Sequence, residues 1–184
     1  MTDPAYRTMT EEEYLRWDGP REGGKWEFVD GFVYAQAGAS RPHNRISSNI
    51  QRVFLNASEG GPCWTHVSDL KVRVSRDGRS RYYLPDIVVV CDPESTEDYE
   101  ENPCLIVEIL SASTRAIDES FKASDYRRLP SLQGYLLVDS EGQGVEFHRR
   151  KGDDWEIEVI EDAVNLPCLD VSLSLDAIYR GTTL

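Results

Sequence analysis

The hydrophobic positions change period along the chain, and each change predicts an element. Thr10-Glu11-Glu12-Glu13 has the form of a capping box and is followed by Tyr14, Leu15 and Trp17, which predicts a short first helix. Trp26-Glu27-Phe28-Val29 and Phe32-Val33-Tyr34-Ala35 flank Asp30-Gly31, a residue pair suited to the two-residue turn of a β-hairpin. A loop of small residues follows (Gly38, Ala39, Ser40). Pro42 is placed to open a helix, and Ile46, Ile50, Val53 and Phe54 recur at helical spacing through about Asn56. Strand-like runs come next at 65–74, 83–91 and 104–110. The segment 92–102 carries six acids and a proline and reads as a solvated loop. Residues 117–129 have helical periodicity that stops before Pro130. A short apolar strand at 135–138 and a closing hairpin at 145–148 and 155–160 complete the pattern. No repeat, low-complexity tract or linker divides the chain. The order predicts a single domain over 1–184, an α/β (α+β) sandwich around one mixed sheet.

Two of the strands are almost continuously apolar, as strands covered on both faces are: Leu84-Pro85-Asp86-Ile87-Val88-Val89-Val90 and Leu105-Ile106-Val107-Glu108-Ile109-Leu110. Each holds one carboxylate. An ionised carboxylate in such a setting costs several kcal/mol unless it is paired or metal-bound. Two on neighbouring strands would repel, and a divalent cation would resolve the conflict. The other resolution is that each acid sits at a strand end beside an arginine. On the later helix, Asp118, Lys122 and Tyr126 are spaced i, i+4, i+8 and share one face. That face is either a solvated ladder or a lysine aimed at the carboxylates.

Composition narrows the class. The chain has 184 residues, 40% hydrophobic and 29% charged, as in ordinary globular proteins, and no apolar run approaches the ~18–20 residues of a membrane span. The N-terminus lacks the basic head and apolar run of a secretory signal, so a cytoplasmic protein is expected. The cysteines at 63, 91, 104 and 168 form no Cys-x-x-Cys pair and are expected to be reduced, acting as small hydrophobes. Cys63 and His66 stand three apart without the second pair that a zinc site would need. Twenty Lys and Arg against 33 Asp and Glu give a net charge of −13, the wrong sign for a protein that coats DNA. A nucleic-acid substrate must therefore meet a local basic patch or be drawn in through bound metal. Arg41, Arg45, Arg52, Lys71 and Arg73 are candidates for such contacts and equally ordinary surface residues. Trp64, Tyr82 and Tyr83 read as core or edge aromatics.

Pro85-Asp86, the run Leu105 to Ser111, and Thr114, Asp118, Lys122 and Tyr126 together resemble the Uma-two (Uma2) family of restriction-endonuclease-like proteins, of the PD-(D/E)XK class. The resemblance takes in Glu11 to Leu15 with Trp17, Trp26 to Gly31, His43 and its helix, and Leu137-Val138-Asp139. It implies an αβββαβ core with a mixed four-stranded sheet, helices on its flanks, added β-hairpins and a metal site at the open end. Carried over, Asp86 and Glu108 would be the metal carboxylates, and the Ile109 carbonyl a third ligand. Glu27 would be an accessory acid and Lys122 the motif lysine. His43, Arg45 and Tyr126 would contact substrate. The parent motif has its lysine two residues after the acid, where this chain has Leu110, so the role passes to Lys122. The turn Leu129 to Gly134 is also longer than the family's usual one. The implied activity is an Mg2+- or Mn2+-dependent endonuclease hydrolysing DNA phosphodiester bonds, as a homodimer. The alternatives are an inactive nuclease fold serving as a protein-binding or dimerisation module, and a small-nucleotide phosphodiesterase.

Overall fold

The computed structural model describes residues 6–19, 24–36, 38–67, 69–91 and 98–183. Helix α1 (Glu11–Leu15) opens on the predicted capping box, with Thr10 Oγ1 accepting from the Glu13 N–H and the Glu13 carboxylate accepting from the Thr10 N–H at 2.7 Å. Strands β2 (Trp26–Val29) and β3 (Phe32–Ala35) turn at Asp30 and Gly31, at φ of 52° and 94°. Helix α2 (Arg41–Ser58) starts from Ser40, whose hydroxyl accepts from the His43 N–H, and has Pro42 in its first turn.

The next two predicted strands each prove to be two. Run 65–74 divides into β4 (Trp64–Val67) and β5 (Lys71–Arg76), and run 83–91 into β6 (Arg79–Tyr83) and β7 (Ile87–Val90). The break at Leu84-Pro85-Asp86 has a local cause, since Pro85 has no N–H for a ladder. Hydrophobicity runs through the break because the chain passes from one buried sheet into another. A short first strand, β1 (Arg7–Thr8), pairs with β3, and β8 (Tyr99–Glu100) lies parallel to β5. One sheet is thus β1-β3-β2-β6-β5-β8. The predicted acidic loop is shortened by β8, and its residues 92–97 lie outside the described ones.

The second sheet carries the core. Strand β9 (Leu105–Leu110) runs antiparallel to β7 and parallel to β10 (Gly134–Asp139), followed by the hairpin β11 (Val145–Lys151) and β12 (Asp154–Val159). Its order is β12-β11-β10-β9-β7-β4, so the expected mixed four-stranded core is present and widened to six by the closing hairpin. The helical run after β9 begins as a π-helix (Ile117–Lys122) and ends as α3 (Ala123–Tyr126). A small hairpin, β13 (Ala163–Leu166) and β14 (Val171–Ser174), and helix α4 (Leu175–Ile178) follow.

Both faces of this sheet are covered. Ile87, Val89, Leu105, Val107, Leu136 and Val138 pack against Ile46, Ile50 and Phe54 of α2 and against the C-terminal hairpin. On the other face Val88, Ile106, Leu110, Tyr135 and Leu137 meet Val72, Val74 and Tyr83 of the first sheet and Tyr126 of α3. All six residues of β9 are buried, Glu108 among them. Tyr14 of α1 joins Phe28, Val33 and Tyr82 in a third cluster. Tyr82 and Tyr83 are thus core residues, and Trp64 is an exposed edge aromatic. Among the described residues no helix is long and apolar enough to cross a membrane. The expectation of reduced cysteines is corrected: Cys63–Cys91 and Cys104–Cys168 are disulfides. Their separations of 28 and 64 residues hid that three strand ends and the turn holding Cys168 bring them together.

Candidate functional site

The register Ile87↔Val107 fixes the site. Continued by one step it sets Asp86 opposite Glu108, and by two steps Pro85 opposite Ile109. Facing side chains across an antiparallel pair have Cβ atoms roughly 4.5–5.5 Å apart. The Ile109 N–H points to this side and donates to Asp86 Oδ2 at 2.8 Å. In an antiparallel ladder a residue's N–H and C=O face the same neighbour. Pro85 has no N–H to give, so the Ile109 carbonyl receives no ladder hydrogen bond from it and faces the same side as Asp86.

Three further elements converge on these acids. Strand β2 brings Glu27, whose Oε1 accepts from the Leu84 N–H and from Gln36 Nε2, each at 3.0 Å. The π-helix brings Asp118 and Lys122. Lys122 Nζ lies 2.8 Å from Glu27 Oε1 and 3.1 Å from both Glu108 Oε1 and Asp118 Oδ1. The i, i+4 pair is therefore no solvated ladder: both residues are buried. Helix α2 brings His43, with Nε2 at 3.2 Å from Asp86 Oδ2 and Nδ1 buried without a hydrogen-bond partner among the described residues. Beneath, the Tyr126 hydroxyl donates to Glu108 Oε1 at 3.1 Å.

The electrostatics follow from one ammonium among several carboxylates. Burial disfavours charge on Lys122, but Glu108, Glu27 and Asp118 outweigh it and hold its pKa well above that of a free lysine. For Glu108, burial outweighs the pull of Lys122, and Asp118, Asp86 and Glu27 repel it further, so its carboxyl is raised well above the ordinary range. Burial likewise raises Asp118 against the attraction of Lys122. Burial, with Glu108 second, pushes the Tyr126 phenol up, which keeps it a hydrogen-bond donor.

The cleft over this cluster has a volume of about 670 Å³ and is lined by Glu27, His43, Asp86, Glu108, Ile109 and Lys122 among others. Two of the predicted site residues stand apart. Tyr126 is fully buried beneath Glu108 and does not line the cleft. Arg45 is exposed and lines an adjoining depression with Arg41, and Asn44 lines both. Gln36 was not anticipated. Its Nε2 also donates to the Leu84 carbonyl at 2.7 Å, so it ties Glu27 to the Leu84-Pro85 crossing. The only signal for it in the sequence is a polar residue directly after the hairpin that carries Glu27.

Comparison with known proteins bears on the family and the fold. Residues 11–177 match the Uma2 family, described as "Putative restriction endonuclease". The chain is 37% identical over 178 residues to "Uncharacterized protein slr1290" of Synechocystis sp. (strain ATCC 27184 / PCC 6803 / Kazusa), covering 94% of this chain and 92% of that one. It is 32% identical over 151 residues to "Uncharacterized protein sll1609" of the same organism, covering 80% and 84%. Among solved structures, a "putative nuclease belonging to DUF820" from Anabaena variabilis ATCC 29413 superposes with a TM-score of 0.70 at 18% identity, over 93% of this chain and 97% of that one. At that identity the likeness is one of fold. The family match runs through nearly the whole chain, and the chain belongs to the Uma2 family of restriction-endonuclease-like proteins.

Proposed function

We propose that the chain is an endonuclease that hydrolyses DNA phosphodiester bonds with a divalent cation, Mg2+ or Mn2+. The observation that carries this reading is the convergence of Asp86, Glu108, Glu27 and Lys122 on one cleft at the open end of the sheet. The donors fit a hard cation: carboxylate oxygens of Asp86 and Glu108, and the Ile109 carbonyl that Pro85 leaves without a ladder partner. Glu108 with its raised pKa, crowded by three other acids, also gains from a nearby positive charge. When bound, the cation supplies Lewis acidity toward a phosphate oxygen and lowers the pKa of a coordinated water.

The chain's own residues do the rest. Lys122, held as an ammonium, is a fixed positive charge for a phosphate oxygen or an attacking water and is not a proton acceptor. His43 orients Asp86, and Tyr126 orients Glu108 from below. Arg41 and Arg45, beside the cleft on α2, form the local basic rim that a net charge of −13 makes necessary. A homodimer would present two such clefts to the two strands of a duplex. The net charge favours a second reading, a phosphodiesterase acting on small nucleotides. Plasmid nicking with Mg2+ or Mn2+ is compared with hydrolysis of a small phosphodiester, for wild type, Asp86→Asn and Glu108→Gln. Metal-dependent nicking that both substitutions abolish supports the endonuclease. Turnover of the small substrate alone supports the second reading. Activity on neither substrate with either cation refutes both.

A further inference from the structure

Apart from the cleft, one cluster of reactive side chains stands out, at the other end of the same strands. Cys63 directly precedes β4 and Cys91 directly follows β7. The register Trp64↔Val90, continued by one step, sets them opposite each other, with Cα atoms 3.8 Å apart. Cys104 directly precedes β9, the next strand in the sheet, and its N–H donates to the Val89 carbonyl at 2.7 Å. Cys168 arrives from the turn between β13 and β14, at a φ of 36°, and its carbonyl oxygen lies 3.3 Å from Cys63 Sγ. The sulfurs of Cys91, Cys104 and Cys168 lie within 4.8 Å of one another, and that of Cys63 is bonded to Cys91. The chain has four cysteines, and all four meet here.

Two disulfides that act only as staples have no need to touch, because each constrains its own loop. Three mutually close sulfurs with a fourth one bond away come near to what a tetrahedral thiolate site requires, which is four sulfurs about 3.8 Å from each other at Zn–S distances of about 2.3 Å. The donors are soft, whereas those of the cleft are oxygens, so the two places select different ions. They are also well separated. Cys104 is four residues before Glu108 on β9, and Cys91 five after Asp86 on β7, roughly 13–17 Å at about 3.3 Å per residue. Cys91, Cys104 and Cys168 are only partly buried, which leaves the knot open to exchange with solutes.

We propose that the four cysteines form one cluster with two chemical states: two disulfides when oxidised, and a tetrathiolate site for a single Zn2+ when reduced. The interconversion balances with a small-molecule disulfide as oxidant. The site, Zn2+ with four thiolates and a net charge of −2, reacts with two molecules of that disulfide. The products are Zn2+, the Cys63–Cys91 and Cys104–Cys168 bonds, and four small thiolates. Four electrons pass from the cysteine sulfurs to the oxidant, and no proton is exchanged. In either state the cluster fastens β4, β7, β9 and the β13–β14 turn, at the end of the sheet opposite the acids.

The test uses the full chain, reduced with a phosphine under argon and freed of metal. Zn2+ is titrated while the thiols are counted with a chromogenic disulfide, and Co2+ is titrated as the spectroscopic probe. The expected result is one Zn2+ per chain, loss of four reactive thiols on binding, and the intense charge-transfer and ligand-field bands of cobalt in a tetrahedral thiolate site, displaced by one equivalent of Zn2+. The paired variant Cys104→Ser/Cys168→Ser should lose all three signals, and Glu108→Gln should keep them, which separates this site from the cleft. Adding oxidised glutathione should release the zinc with two protein disulfides formed per ion. Four thiols still reactive in excess Zn2+, zinc uptake no greater than in the paired variant, or only the weak bands of oxygen-ligated cobalt would each overturn the proposal. Zinc that stays bound after oxidation would do so too. Where reduction unfolds the chain, recovery of its circular dichroism on adding Zn2+ supports the site and failure to recover refutes it.

Discussion

Replacing Lys122 by methionine should destabilise the metal-free protein strongly, and more so as pH rises. Methionine keeps a flexible unbranched stem but removes the ammonium shared by Glu27, Glu108 and Asp118, at 2.8, 3.1 and 3.1 Å. Breaking a buried ion pair by deleting one partner costs about 3–5 kcal/mol. The three contacts share one cation and their losses overlap, because the stranded acids can take up protons instead. The single-pair figure therefore serves as the working value. At roughly 2–4 °C per kcal/mol for a chain of this size, the melting temperature should fall by about 6–20 °C at pH 8 in chelator. The direction with pH follows from Glu108 and Asp118, both raised by burial in the native protein and raised further without Lys122. Groups with a raised folded pKa give stability that is fully present below their unfolded values, near 4, and lost as pH climbs through the folded values. The deficit of the variant should therefore shrink toward pH 5 and widen toward pH 8. Urea and thermal melts of both proteins at the two pH values, in chelator, measure it. A deficit under about 1 °C at pH 8, or one that grows on acidification, would refute the shared-cation account.

Glu108→Gln removes one repelling charge from the same cluster, so it should melt at or above metal-free wild type. It should also gain less than the roughly 2.7 kcal/mol that a cation at one hundred times its Kd gives the native protein; equal metal-induced shifts would remove Glu108 from the proposed ligands. Asp125 is fully buried and accepts from the Tyr83 hydroxyl at 2.6 Å and from Arg76 and Arg81 at 2.7 Å each. Burial pushes its carboxyl up, but these hydrogen bonds win and its pKa is lowered. Asp125→Asn should cost about 3–5 kcal/mol at pH 7, with the wild-type advantage fading as pH falls below ~3.9, in urea melts at pH 7 and 3. Burial lowers the His148 imidazole despite Glu146, so the unfolded chain takes the proton first. Stability should drop as pH falls below ~6.5, and His148→Gln should flatten that slope in melts between pH 7 and 5.

The elements that the sequence revealed are those whose cause is local. The capping box at Thr10 and Glu13, the Asp30-Gly31 turn and the Ser40-x-Pro42 helix start all appear where their residues stand. What it concealed depends on contacts across the chain. The hydrophobic run through Leu84-Pro85-Asp86 reads as one strand because both sheets bury their residues, and only Pro85 marks the crossing. The cysteines show no spacing motif, since the β4–β7 register brings 63 to 91 and the packing of the β13–β14 turn against the start of β9 brings 168 to 104. For the site, the two lone acids in apolar strands were visible as an anomaly, and the structure sets them opposite each other. Whether Lys122 faced them or solvent was undecidable from a helical period alone. Gln36 and Arg45 show the same limit, because the direction of a side chain at the edge of an element is set by the packing around it.

If Lys122 takes the part of the motif lysine, as proposed, its position accounts for the Leu110 departure. Glu108 and Leu110 are two apart on β9 and share a face, and Leu110 packs there into the core with Tyr126 and Leu137. A lysine at 110 would carry its ammonium along that face. In this chain the charge enters the same space from the π-helix Ile117–Lys122. Asp118 and Lys122, spaced i, i+4, both reach inward, which ties the cation to the helix as well as to Glu27 and Glu108. If what matters is an ammonium among these carboxylates and not the element that supplies it, the charge can be returned through the strand. Lys122→Met combined with Leu110→Lys should recover part of the stability lost in Lys122→Met at pH 8, and little at pH 5, where fewer carboxylates are charged. Urea melts of the two variants in chelator give the comparison. A double variant less stable than Lys122→Met at both pH values would show that position 110 is a core site only, and that the π-helix is the one route by which this fold brings the charge to its acids.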